Sequence, residues 1–155
     1  MKKKIIGIVD FSYGNHDSLS QIFKNLGFNC FVSSDQKELG KSDLLILPGV
    51  GAFKPAMLNL KSKNLDRYLI NSAHAKRPIL GICLGMQLLA SWSEENVKTF
   101  GLDIIPGRVK RLVSGGSHIG WNNIVEVKSK SLFTNAHEKN YYFNHSYEYE
   151  CSDEY

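Results

Sequence analysis

Pro78-Ile79-Leu80-Gly81-Ile82-Cys83-Leu84-Gly85-Met86-Gln87 decides how this chain folds. Ile79-Leu80-Gly81-Ile82 is apolar without polar alternation, the pattern of a strand buried on both faces, and Leu84 to Ser91 read as a helix directly after it. Glycine on both sides of Cys83 lets the strand turn sharply into the helix, holding the central residue in a strained conformation with its side chain aimed into a cleft. The sulfur then sits at a helix N-terminus, whose free N–H groups and dipole stabilise negative charge, and the thiolate is the form that attacks. A structural cysteine buried in a glycine-containing turn is the plainer alternative, because free cysteine is among the most buried residue types. The paired glycines and the strand-to-helix context favour the nucleophile. Gln87 follows one helical turn later on the same face, where its amide can reach a substrate held at the sulfur, or simply face solvent.

Working outward, residues 4–10, 29–33 and 43–47 read as further strands. Residues 17–26 place Leu19, Ile22, Phe23 and Leu26 on one helical face, and residues 55–75 read as one or two helices. Apolar strands alternating with helices imply an α/β fold, a parallel sheet covered on both faces. Past residue 100 the pattern changes to short runs near 107–112, 123–128, 141–144 and 147–151, read as an antiparallel part of the same single domain, 1–155. In open sheets of this kind, sites form beyond the C-terminal strand ends. Three such ends are unusual: Asp10 to Asn15, Pro48 to Phe53, and Cys83 to Gln87.

Pro48-Gly49-Val50-Gly51-Ala52-Phe53 resembles a dinucleotide loop only in its first half, since Lys54 stands where the third glycine would be needed. Backbone N–H groups at Val50-Gly51, with that of Leu84, can instead form an oxyanion hole; an ordinary tight turn is the alternative.

Composition excludes several classes. The chain has 155 residues, 43% hydrophobic and 22% charged, with a net charge of +4. Its basic residues form no stripe interleaved with aromatics, so nucleic acid is not an expected partner. No apolar stretch is long enough to span a membrane, and the N-terminus has no signal-peptide pattern. Three widely spaced cysteines, Cys30, Cys83 and Cys151, form neither a disulfide framework nor a zinc pattern, which points to a reducing, cytoplasmic setting. No metal or cofactor is implied.

The segment Pro78 to Gln87 resembles the nucleophile motif of triad (class I) glutamine amidotransferases. Further stretches resemble one branch, the glutaminase subunit of imidazole glycerol phosphate synthase. They are Ile8-Val9-Asp10 with Gly14-Asn15, Pro48 to Phe53, Gly101-Leu102 with Ile105-Pro106-Gly107, His118-Ile119-Gly120-Trp121-Asn122, and Tyr142-Phe143 with His145-Ser146-Tyr147. The resemblance covers essentially the whole chain and implies the three-layer, flavodoxin-like amidotransferase fold. It also implies that Cys83 attacks the glutamine side-chain amide to form a thioester. Leu84 and Val50-Gly51 would hold the oxyanion, and Gln87 with His145, Ser146 and Tyr147 the amino-acid end of glutamine. Gly14, Asn15, His118 and Trp121 would face a (β/α)8-barrel cyclase partner that receives the ammonia.

In that family the base is a His and its orienting acid a Glu, in a His-Pro-Glu segment near the C-terminus. No His-x-Glu occurs in the 155 residues, and His16, His74, His118, His137 and His145 all lack that context, His145 being the best substitute. The expectation is therefore a domain incomplete at its C-terminus, lacking a late strand and a helix, and inactive as a 155-residue chain. Ser117 before His118, and Asp17 after the Gly-Asn turn, depart from the family on the partner side. They leave open a similar glutaminase that supplies ammonia to a surface-polysaccharide sugar-modifying enzyme. A non-catalytic binding module also stays open; a thiol esterase or peptidase accounts for fewer of the motifs.

Overall fold

The structure, a computed structural model, describes residues 4–113, 116–124 and 139–151. Two compact units emerge, one formed by Met1–Lys110 with Tyr149–Tyr155 and the other by Arg111–Glu148.

The first unit is built on four parallel strands: β1 (Ile5–Val9), β2 (Asn29–Ser33), β3 (Leu44–Leu47) and β4 (Ile79–Gly81), in the order β2-β1-β3-β4. Ile6 lies beside Cys30 on one side and Leu44 on the other, and Leu47 lies beside Gly81. Ile8, Val9, Leu45, Ile46 and Leu47 have no exposed surface, which is why these strands need uninterrupted apolar sequence rather than alternation.

Five helices accompany the strands among the described residues: α1 (His16–Asn25), α2 (Gln36–Leu39), α3 (Phe53–Ser62), α4 (Leu65–His74) and α5 (Leu84–Leu88). The helical run expected over 55–75 divides in two at Asn64, which takes a left-handed φ of 55°. The apolar face expected on α1 is only half used. Leu19 and Phe23 pack on Ile6, Ile8 and Ile46, whereas Ile22 and Leu26 are 52% and 66% exposed.

The helix expected to run to Ser91 stops at Leu88 because another segment takes its carbonyls. The N–H groups of Leu102, Ile104, Asp103 and Gly101 donate to Leu88, Leu89, Ala90 and Ser91 at 2.9 to 3.0 Å. Three further elements, α2, β5 (Trp92–Ser93) and β6 (Thr99–Phe100), are too short to leave a periodic signal.

Two more strands, β7 (Gly107–Arg111) and β10 (Tyr147–Cys151), join β5 and β6 in a second sheet of order β10-β7-β5-β6. There β5 pairs antiparallel with β6 but parallel with β7, a pairing that the expected antiparallel part did not contain. Glu150 accepts hydrogen bonds from Lys110 Nζ and Arg108 Nε, and Arg108 also reaches Glu94 at 3.2 Å.

The second unit holds an antiparallel pair, β8 (His118–Asn123) with β9 (Asn140–His145). Much of the strand expected over 123–128 falls outside the described residues; the described strand covers the His118 segment instead. Among the described residues no helix is long and apolar enough to cross a membrane.

Candidate active site

Cys83 is the residue at which β4 becomes α5. It stands at the N-cap with φ 55° and ψ −118°, a conformation that L-residues rarely hold without surrounding constraint. The constraint is backbone packing. The Leu47 carbonyl accepts the Ile82 N–H at 2.9 Å, and a Cβ on Gly85 would lie 1.9 Å from that same oxygen. On the other side of the turn, a Cβ on Gly81 would lie 2.5 Å from Met86 Cα. Strand β3 and the turn thus press together at a distance only glycine permits, and the thiol of Cys83 is left exposed. Turn hydrogen bonds finish the elbow: Gly85 N–H to Ile82 O and Met86 N–H to Cys83 O, both 3.0 Å.

A cleft of about 190 Å³ opens beside the sulfur, lined by Asn15, Ser18, Leu19, Pro48, Gly49, Val50, Ile82 and Cys83. Its walls come from the segments following β1, β3 and β4, the three strand ends singled out in the sequence. The order β2-β1-β3-β4 explains the location: β1 connects outward to β2 on one side while the chain later returns to its other side as β3, and a crevice forms where the two directions diverge. Asn15 caps α1 by accepting the Ser18 N–H at 3.3 Å.

The site residues expected from sequence divide into groups. Cys83, Val50 and Asn15 meet in the cleft. Leu84 and Gln87 lie on α5, and Gly51 and Gly14 lie in the loops after β3 and β1, without lining it. Val50 is 55% exposed, and Gly51 takes a φ of +100°, a value suited to glycine. Among the described residues the loop N–H groups of Val50 and Gly51 donate no hydrogen bond.

The remaining expected residues belong to the second unit. His118 lies opposite His145 across β8 and β9, and its ring stacks on Phe143 with centroids 4.5 Å apart. His145 Nδ1 lies 2.8 Å from the Tyr147 carbonyl oxygen. The Ser146 hydroxyl pairs with that of Ser117 at 2.8 Å, and the Ser146 carbonyl accepts the Leu112 N–H. Trp121 is 73% exposed and meets Tyr142 edge-on at 5.6 Å.

Sequence reading missed several contributors. Ser18, Leu19 and Ile82 line the cleft. Glu95 reaches the N-terminus of α3, where its Oε2 accepts the Phe53 N–H at 2.7 Å. Nothing in Ser93-Glu94-Glu95-Asn96 marks it, because the contact spans 42 residues of sequence. Lys63 Nζ reaches the Asp10 carbonyl and the Ser12 hydroxyl, at 3.3 and 3.1 Å, and steadies the loop after β1.

A strained cysteine between a buried strand and a helix, with free N–H groups on the adjoining loop, is the equipment of an acyl-transfer enzyme that works through a thioester. The chain belongs to the family described as Glutamine amidotransferase class-I, whose pattern it matches over residues 7–154.

Within the family it is similar to the imidazole glycerol phosphate synthase subunit HisH of Methanothermobacter thermautotrophicus, at 41% identity over 97% of this chain and 76% of that protein. The subunit of the same name from Carboxydothermus hydrogenoformans is 45% identical over 90% of this chain and 72% of its own length. Among solved structures, PurLQS from Thermotoga maritima superposes with a TM-score of 0.67, covering 98% of this chain and 71% of that one at 21% identity. That likeness is one of fold.

Proposed function

We propose that this chain is the glutaminase subunit of an imidazole glycerol phosphate synthase, acting in the cytoplasm in histidine biosynthesis. The observation that carries the reading is Cys83 held at φ 55° beside a loop with free N–H groups, in a chain 41% identical to a subunit of that name. The Cys83 thiolate attacks the side-chain amide carbon of glutamine. As the S–C bond forms, the carbonyl π pair moves onto oxygen, and the N–H groups of Leu84 and Val50-Gly51 receive that charge. Collapse breaks the C–N bond, and the departing nitrogen takes a proton from water and leaves as ammonia. Water then cleaves the thioester to glutamate and returns the thiol. This sequence needs no metal or cofactor.

Gln87, His145, Ser146 and Tyr147 hold the amino-acid end of glutamine in this reading. Gly14, Asn15, His118 and Trp121 face the partner, a (β/α)8-barrel cyclase, to which ammonia passes. The test is a diazo-ketone analogue of glutamine. Peptide mapping is expected to find Cys83 alkylated and Cys151 and Cys30 spared, although Cys151 is also exposed. Modification of Cys151 with Cys83 untouched would end the assignment.

A further inference from the structure

The loop between β1 and α1, residues 10–15, is strained at its centre. Ser12 holds a left-handed φ of 69°, a region that non-glycine residues seldom occupy. A tight turn forms there, as the Ser12 N–H donates to Asp10 Oδ1 at 2.9 Å. Gly14 follows, and glycine has the most conformational freedom to lose on ordering. Such a loop keeps one conformation only where its surroundings enforce it.

The enforcement comes from the end of α3. Asn59 and Lys63 stand four residues apart and so share one helix face. Asn59 Nδ2 donates to the Phe11 carbonyl at 3.2 Å, and Phe11 is completely buried. Lys63 Nζ donates to the Asp10 carbonyl at 3.3 Å and to the Ser12 hydroxyl at 3.1 Å, bridging the turn. Lys63 is the C-cap residue of α3, and its N–H donates to the Asn59 carbonyl at 3.2 Å, which ties the two side chains' backbones together. Asp10, Phe11 and Ser12 are thus gripped in succession, just before Gly14-Asn15.

We propose that Asn59 and Lys63 form a clamp that preorganises this loop for the partner. They are positioning residues: they set Gly14 and Asn15 for docking and touch neither partner nor substrate themselves. This rests on the glutaminase-subunit reading, in which Gly14 and Asn15 face the barrel, and adds to it residues that govern affinity from behind the contact surface. A loop ordered beforehand loses little further freedom on association, so the complex is tighter.

The experiment titrates the barrel protein calorimetrically into wild type and into Lys63→Met, which keeps an unbranched side chain and removes its donors. The Kd is expected to rise roughly tenfold, because the loop must then be ordered on binding. Hydrogen exchange at the Ser12 amide of the free chain should quicken, while the rate of Cys83 alkylation by iodoacetamide stays near wild type. Lys63→Arg keeps donors for both acceptors and is expected to restore most of the affinity. Asn59→Ala should weaken binding in the same direction, and carries the test if Lys63→Met does not fold.

Equal affinity in wild type and Lys63→Met would overturn the proposal, as would a Lys63→Arg variant that binds as weakly as Lys63→Met. Weaker binding with unchanged Ser12 exchange in the free chain would make Lys63 a direct contact of the partner and overturn the positioning role. A change in Cys83 alkylation in step with the lost affinity would show general damage to the fold and overturn it too. Failure of wild type to bind the barrel protein would instead count against the glutaminase-subunit reading, which keeps the two failures distinct.

Discussion

The Leu47 carbonyl oxygen lies directly over Gly85: a Cβ at residue 85 would stand 1.9 Å from it. Because the obstacle is backbone, no rotamer change relieves it. Gly85→Ala must push the elbow away from β3, breaking the 2.9 Å bond from Ile82 to Leu47 as it does so. Overpacking at a site that can yield costs about 1–3 kcal/mol, and a backbone clash belongs at or above the upper end. Urea unfolding should show that loss, together with loss of Cys83 alkylation by the diazo-ketone. An unchanged midpoint and labelling rate would contradict the geometry.

Trp121, proposed to face the partner, allows stability to be separated from partner binding. Its ring is 73% exposed and touches Tyr142 edge-on, so Trp121→Ala should change folding stability by only about 0.5 kcal/mol. An exposed aromatic at the centre of an interface carries about 2 kcal/mol or more of affinity, equivalent to roughly thirtyfold in Kd. Calorimetric titration with the barrel protein tests this. Unaltered affinity would remove Trp121 from the partner-facing set.

The acid limb of stability has an identifiable contributor. Hydrogen bonds from Lys110, and then from Arg108, hold the Glu150 carboxyl below its ordinary pKa in the folded protein. A carboxylate lowered on folding contributes stability above its unfolded pKa and loses it as pH falls through the folded value. The contribution is therefore present at neutral pH and disappears below about pH 4. Glu150 is exposed, so the effect is small. Glu150→Gln should narrow the difference between urea midpoints measured at about pH 7 and about pH 3. A variant with the wild-type pH dependence would show that the ion pairs contribute nothing.

Turnover by a polypeptide of residues 1–155 is a separate question. It has a nucleophile and an oxyanion loop, but no His-x-Glu among its residues. Losing a triad member costs several orders of magnitude in rate, while binding and the oxyanion hole survive. Partner-stimulated steady-state glutaminase activity is expected to be negligible, with slow thioester formation at Cys83 as the most that is seen. A rate comparable to that of the similar subunits would refute this.

Much of the architecture was legible because the relevant signals are local. The strands at Ile5–Val9 and Leu44–Leu47 announce themselves as unbroken apolar runs, and the helix at His16–Asn25 by its apolar period. Three of the elements that went unread, Gln36–Leu39, Trp92–Ser93 and Thr99–Phe100, have four residues or fewer; the six-residue strand His118–Asn123 was also missed, the expected run lying at 123–128. Segments this short show no period, and their form depends on what they pair with. The early end of α5 belongs to the same class, since its cause is a strap at residues 101–105 that captures the helix's carbonyls.

The sequence by itself determined the elbow. Gly81-Ile82-Cys83-Leu84-Gly85 between an apolar strand and a helix defines a strained cysteine at a sharp turn without reference to anything distant, because sharp turns are dictated by the residues that make them. It also marked the three strand ends, whose meeting follows from a parallel sheet. Only the tertiary structure decided how the site is held. The contact of Gly85 with Leu47, the reach of Glu95 to Phe53, and the grip of Lys63 on the loop after β1 join residues 38, 42 and 53 positions apart. Such contacts leave no local pattern, because the folded backbone, and not the spacing along the chain, brings their two halves together.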